Sequence, residues 1–141
     1  MIEAKPLSEQ ECMEANLPPK GIFPFSVQMT KEKNSDKVGK FFSLKMNLET
    51  GPNKSRVIYD SLFFTESMFW KTRHFYKSAN LMHIYDSGRY QAQDLDWAKG
   101  FCQVDHKTDT ATGEITAFVK DYISPETTPE APFIDDDLPN L

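Results

Sequence analysis

Cysteine is scarce in this sequence: Cys12 and Cys102 are the only two among 141 residues. Two thiols make no disulfide framework, so a reducing compartment, the cytoplasm, is the expected setting. No apolar run approaches the ~18–20 residues that span a bilayer, and no membrane association is expected. The opening Met1-Ile2-Glu3-Ala4-Lys5 lacks the basic and apolar regions of a secretory signal. Metal-ligand spacing is missing too. Cys102 and His106 stand four apart with no second such pair, too few for a four-ligand zinc site. Gly39-Lys40 resembles the end of a phosphate-binding loop, but Asn34 replaces its first glycine and Phe41 its Ser/Thr. His74, His83 and His106 have no nucleophile beside them, and Asp94 and Asp96 are two residues apart in a polar stretch. Neither pattern supplies an active site, so no catalysis, cofactor or metal is expected.

What is abundant is aromatic: eleven Phe, five Tyr and two Trp. Hydrophobic residues at 39% and charged ones at 26% fit one folded domain, neither a membrane protein nor a disordered polymer. The net charge of −5 is unevenly spread. Residues 1–19 carry −3, residues 20–123 carry +3 and residues 124–141 carry −5. A basic body between acidic ends is a charge pattern that points to nucleic acid, or to a solubilising tail on an ordinary domain.

Three segments follow. Residues 1–19 form an N-terminal extension: Ser8-Glu9-Gln10-Glu11 is a capping box, with Leu7 and Cys12 at staple positions. A short helix is expected to about Asn16, ended by Leu17-Pro18-Pro19. Residues 20–123 form the folded domain. Residues 124–141, with three prolines in Ser124–Pro132 and no apolar periodicity, form a disordered acidic tail.

Within the domain the hydrophobic period is mostly two. Phe23, Phe25, Val27 and Met29 mark the inner face of a first strand, with Pro24 placing it at an edge or bulge. Lys31 to Gly39 reads as a polar loop. In a second strand Phe42, Leu44, Met46 and Leu48 face one way; Phe41, Ser43, Lys45 and Asn47 face the other. A turn at Thr50-Gly51-Pro52-Asn53 leads to a third strand over about Arg56–Phe63 with an ambiguous inner face. Met68, Thr72, Phe75 and Ala79 then form a helical stripe, with Thr65 a candidate N-cap. A fourth strand over Phe101–Lys107 and a fifth over Ile115–Tyr122 close the order β-β-β-α-β-β. The expected fold is mainly β, a five-stranded, partly open OB-fold barrel.

OB barrels bind oligonucleotides on the second and third strands and on nearby loops. Single strands need cations for phosphates and exposed rings for bases. The candidate DNA-binding residues are Lys31, Lys33 and Lys37 in the first loop, Lys40, Phe41 and Lys45 on the second strand, and Phe101 and Lys107 on the fourth. Phe41 and Phe101 either offer stacking faces or cover the barrel's open end. The helix carries a second basic group, Trp70, Lys71, Arg73, His74 and Lys77, which reads first as a solvated face.

Lys20-Gly21-Ile22-Phe23, Asn34-Ser35-Asp36-Lys37-Val38-Gly39-Lys40, Tyr59-Asp60-Ser61-Leu62, Trp70-Lys71-Thr72-Arg73-His74-Phe75 and Val119-Lys120-Asp121-Tyr122, taken in order, resemble the single-stranded DNA-binding proteins of bacteriophages and mobile elements. The resemblance implies an OB fold and binding of single-stranded DNA without strong base preference, during DNA replication or recombination. The tip Phe133-Ile134-Asp135-Asp136-Asp137-Leu138-Pro139-Asn140-Leu141 resembles the acidic C-terminal tip of bacterial single-stranded DNA-binding proteins, though Asn140-Leu141 replaces their terminal Phe. That resemblance implies docking of replication or recombination proteins through Asp135, Asp136, Asp137, Leu138, Pro139 and Leu141; homo-oligomers on DNA would also fit it. Two other classes stay open. One is an OB module that binds a protein; the other is an acidic DNA mimic that inhibits a host DNA-processing enzyme, against which the +3 body speaks.

Overall fold

The capping box forms as the sequence dictates. Ser8 N–H donates to Glu11 Oε1 at 2.9 Å, and Glu11 N–H to Ser8 Oγ at 3.1 Å, at the start of helix α1 (Glu9–Ala15). The backbone hydrogen bond from Ser8 holds the Glu11 carboxyl below its ordinary value. The structure, a computed structural model, describes residues 1–15 and 17–124. The expected helix end at Asn16 and the acidic tail beyond Ser124 lie outside the described residues.

Five strands follow: β1 (Gly21–Ser35), β2 (Gly39–Gly51), β3 (Lys54–Phe63), β4 (Lys99–Thr108) and β5 (Ile115–Ile123). All pairings are antiparallel, in the spatial order β3-β2-β1-β4-β5. β1 is therefore central and not an edge strand. Pro24 is accommodated because it pairs only with β4, opposite Phe101, while the ladder to β2 begins at Phe25. Strand β2 shows the predicted alternation in full: Phe42, Leu44, Met46 and Leu48 are buried and the residues between them are not. On β4, Cys102 and Val104 are buried, also as expected.

Of three register shifts in the sheet, one at the end of β2 between Glu49 and Gly51, two break the simple period inside the strands. Val27 pairs with Met46 but Met29 pairs with Lys45, which leaves Gln28 as an extra residue in β1. One inserted residue reverses the faces of everything after it. Met29, expected beside Phe25 and Val27 in the core, is exposed instead. The expected loop from Lys31 is also corrected, because β1 continues to Ser35 and only a short turn remains before Gly39. A second bulge leaves Lys120 unpaired between Val119 and Asp121. It lets Val119 and Tyr122, three apart, both point into the core.

No backbone ladder joins β3 to β5 among the described residues. Helix α2 (Phe69–Ser78) packs along that seam. Its N-cap is Met68, with no side-chain cap; Thr65, the expected cap, accepts the Met68 and Phe69 N–H groups with its backbone carbonyl instead. Thr72, Phe75, Tyr76 and Ser78 are its buried residues, so the stripe is broader than the one expected. Thr72 Oγ1 donates to the Phe63 carbonyl of β3 at 2.6 Å. At the other end Ser78 Oγ accepts from Phe101 N–H at 2.9 Å and donates to its carbonyl at 3.0 Å. Gly100 permits that approach, since a Cβ there would lie 2.5 Å from Ser78 Oγ and 2.9 Å from its carbonyl. The connection onward holds helix α3 (Met82–Ser87) and a 3₁₀ turn (Ala92–Leu95). Among the described residues no helix is long and apolar enough to cross a membrane.

Candidate nucleic-acid interface

Register builds the outer face of the β1-β2-β3 meander row by row. Antiparallel partners project to the same face, so each rung is a set of neighbours. One rung is Met29–Lys45–Tyr59, the next Lys31–Ser43–Ser61, and the third Lys33–Phe41–Phe63. Lys31 and Lys33 reach this face because Gln28 is left out of the ladder. Met29, Lys31, Lys33, Ser43, Lys45 and Tyr59 line a groove of about 360 Å³, with no carboxylate among them. Tyr59 is 66% exposed, a large ring with nothing to cover it. At the far end the Phe41 and Phe63 rings lie 5.1 Å apart and tilted by 40°, which gives a half-buried aromatic platform.

Trp97 lies on the other side of β1, next to the bulge. Its N–H donates to the Val27 carbonyl at 2.9 Å, beside the bulge, and its side chain is 74% exposed. Its backbone is left-handed, with φ 69°. A bulky residue there is strained, and such strain clusters at sites of function.

The structure thus brings together Lys31, Lys33, Phe41 and Lys45. Lys37 is exposed in the hairpin turn beyond them. Lys40 lies on the opposite side of β2, 3.9 Å from Glu32, an exposed pair of little energetic weight. Phe101 is half-buried opposite Pro24, five positions along β1 from Met29, or roughly 16 Å of strand. Lys107 is further off on the β4-β5 hairpin, its ammonium 5.5 Å over the Phe118 ring. The docking residues Asp135 to Leu141 lie outside the described residues. Sequence reasoning missed Met29, Tyr59, Phe63 and Trp97. The signal for Tyr59 was Ile58 and Leu62 at core spacing, which turns Tyr59 and Phe63 outward. For Trp97 it was a lone indole among Asp96, Lys99 and Gly100.

The basic helix divides. Lys71 is not on a solvated face: its Nζ donates to Asp60 Oδ1 at 3.2 Å and to the Val119 carbonyl at 2.7 Å, with only 12% of the side chain exposed. It spans the seam between β3 and β5. Trp70, Arg73 and Lys77 remain exposed, and His74 Nδ1 lies 2.8 Å from Asp121 Oδ1. His106 is structural as well. Its Nε2–H donates to the Pro18 carbonyl at 2.7 Å and ties the N-terminal extension to β4.

No family model matches the chain, and no curated protein matches it in sequence.

Proposed function

We propose that this chain binds single-stranded DNA with little base preference on an OB-type barrel. The strand order β3-β2-β1-β4-β5, with side chains drawing β3 toward β5, supports the barrel. One observation carries the binding reading: a carboxylate-free outer groove in which Lys31, Lys33 and Lys45 alternate with Met29 and the exposed ring of Tyr59. Phosphates meet the ammonium groups while bases stack on Tyr59, on Phe41–Phe63 and on Trp97. A flat, open face with rings suits unstacked bases; duplex hides its base faces. The setting in phage or mobile-element replication or recombination, and recruitment of partner proteins through Asp135–Leu141, rest on the sequence resemblance.

Fluorescence polarisation with labelled oligo-dT, oligo-rU and duplex at several salt concentrations tests this. Three phosphates neutralised by three lysines give a slope of log affinity against log salt near −2, at about 0.7 per phosphate. Tyr59→Ala should weaken oligo-dT binding by about 1–3 kcal/mol with the fold intact. Equal affinity for duplex, or no dependence on salt, overturns the proposal; preference for oligo-rU reassigns the substrate to RNA.

A further inference from the structure

The exposed stripe of α2 has its own cleft. Trp70, Arg73, His74 and Lys77 recur at i, i+3, i+4 and i+7, the spacing of one helix face. Arg73, His74 and Lys77 line a cavity of about 230 Å³ with Asp121, Tyr122, Ile123 and Ser124. Among the described residues no carboxylate lies within 4 Å of Arg73 or Lys77, whereas Lys71 of the same helix is engaged by Asp60. Asp121, the one carboxylate of the cleft, is engaged by His74. Trp70 is 48% exposed at the other end of the stripe, its ring 5.5 Å from that of His74.

The stripe also lies on the route a strand would take off the sheet. β3 is the edge strand and carries Tyr59. The next residue, Asp60, holds Lys71, the neighbour of Trp70, and Phe63 of β3 accepts from Thr72. A chain crossing the outer face past Lys45 to Tyr59 would leave the sheet at the β3 edge, the strand to which α2, carrying Trp70, Arg73 and Lys77, is bonded. We infer that the α2 face is a second contact site for single-stranded nucleic acid, with Trp70 stacking a base and the Arg73–Lys77 cleft holding backbone phosphate. This rests on the proposed function and extends it: the outer groove binds a short segment, and α2 engages only a strand long enough to round the edge.

The test uses the full chain with oligo-dT of two lengths, about 4–6 and about 14–16 nucleotides, near the two ends of the range one such barrel covers. Lys77→Glu, whose side chain has no packing role, and Arg73→Gln/Lys77→Gln should weaken the long oligomer several-fold and leave the short one unchanged. The double variant should also flatten the salt slope for the long oligomer by about 1.4, two phosphates' worth. Photocrosslinking of halogenated oligo-dT should reach Trp70 from the long strand only. Unchanged affinity and slope for the long oligomer, with no crosslink at Trp70, overturns the inference and leaves the proposed function standing. Failure of the unaltered protein to bind either length overturns the proposed function instead. An effect of Lys77→Glu that vanishes when residues 125–141 are deleted assigns the cleft to the acidic tail, and so also overturns the inference.

Discussion

Tyr122 Oη donates to Asp60 Oδ2 at 2.6 Å, across the one seam of the sheet that no backbone ladder closes. The other carboxylate oxygen accepts from Lys71, which also caps the Val119 carbonyl. One carboxylate thus joins β3, β5 and α2. Tyr122 also packs edge-on against Phe75 and Phe25, at ring distances of 5.0 and 5.4 Å, so the polar clasp sits on an aromatic cluster. The clasp holds the edge over which a bound strand would turn.

Asp60→Asn tests the clasp. It leaves the Lys71 ammonium nearly buried and uncompensated, and should cost about 3 kcal/mol, read by urea denaturation. Asp60→Asn combined with Lys71→Met removes both charges and should recover much of that loss. A single variant within about 0.5 kcal/mol of the parent would show that the seam is held by apolar packing alone.

Cys102 gives a pH test. Burial, reinforced by the Asp60 carboxylate and opposed by Lys71, pushes its thiol up from 9.0 to about 12. Burial and Asp60 also raise Tyr122 well above its ordinary value. Above pH 9.0 the unfolded chain releases a thiol proton that the folded chain keeps. The contribution is whole below pH 9.0 and is lost as pH rises toward 12, at about 1.4 kcal/mol per pH unit. Cys102→Ala should make the alkaline decline shallower by about one proton. At neutral pH a thiol reagent should label exposed Cys12 and spare Cys102 until the chain unfolds. Equal labelling rates would contradict the burial.

The sequence made some of this legible and hid the rest for definite reasons. Strand β2 was plain because its residues from Phe41 to Leu48 alternate between a buried and an open face with no extra residue among them. The capping box was plain because it is local. Bulges are not local features: nothing in Val27-Gln28-Met29 says which residue lacks a partner, so the inner face was carried one position too far. Lys31 and Lys33 read as loop cations, but they stand on the outer face of β1 as strand residues. Lys71 looked solvated because its partner, Asp60, lies eleven residues away on another element. Tyr59 and Trp97 escaped notice because their exposure depends on register and on one unusual backbone angle.

Deleting Gln28 tests the bulge directly. Without it, the Val27–Met46 and Met29–Lys45 rungs become consecutive, and regular alternation keeps Met29, Lys31 and Lys33 on the outer face. The shortened strand should therefore fold, and oligo-dT affinity should stay within several-fold of the parent's. Gln28→Ala keeps the residue count and should change neither melting nor affinity appreciably. A deletion variant that unfolds or no longer binds oligo-dT would show that the bend at the bulge, beyond register alone, shapes this face.

Trp97 separates stability from binding most cleanly. Its left-handed backbone, φ 69°, costs an L-residue about 1–2 kcal/mol that glycine escapes. Trp97→Ala keeps the strain and removes the indole. Trp97→Gly removes the indole and relieves the strain, though glycine gives back part of the gain through its freer unfolded chain. The glycine variant should therefore be the more stable of the two, by up to about 1 kcal/mol. Both remove the same stacking surface, so both should lose about 1–3 kcal/mol of oligo-dT affinity, independent of their order in stability. Trp97→Phe, which keeps a ring, should retain most of the binding. Paired melting and titration of the three variants checks each arm. Wild-type affinity in the alanine and glycine variants would remove Trp97 from the interface and end the strand's path at Met29.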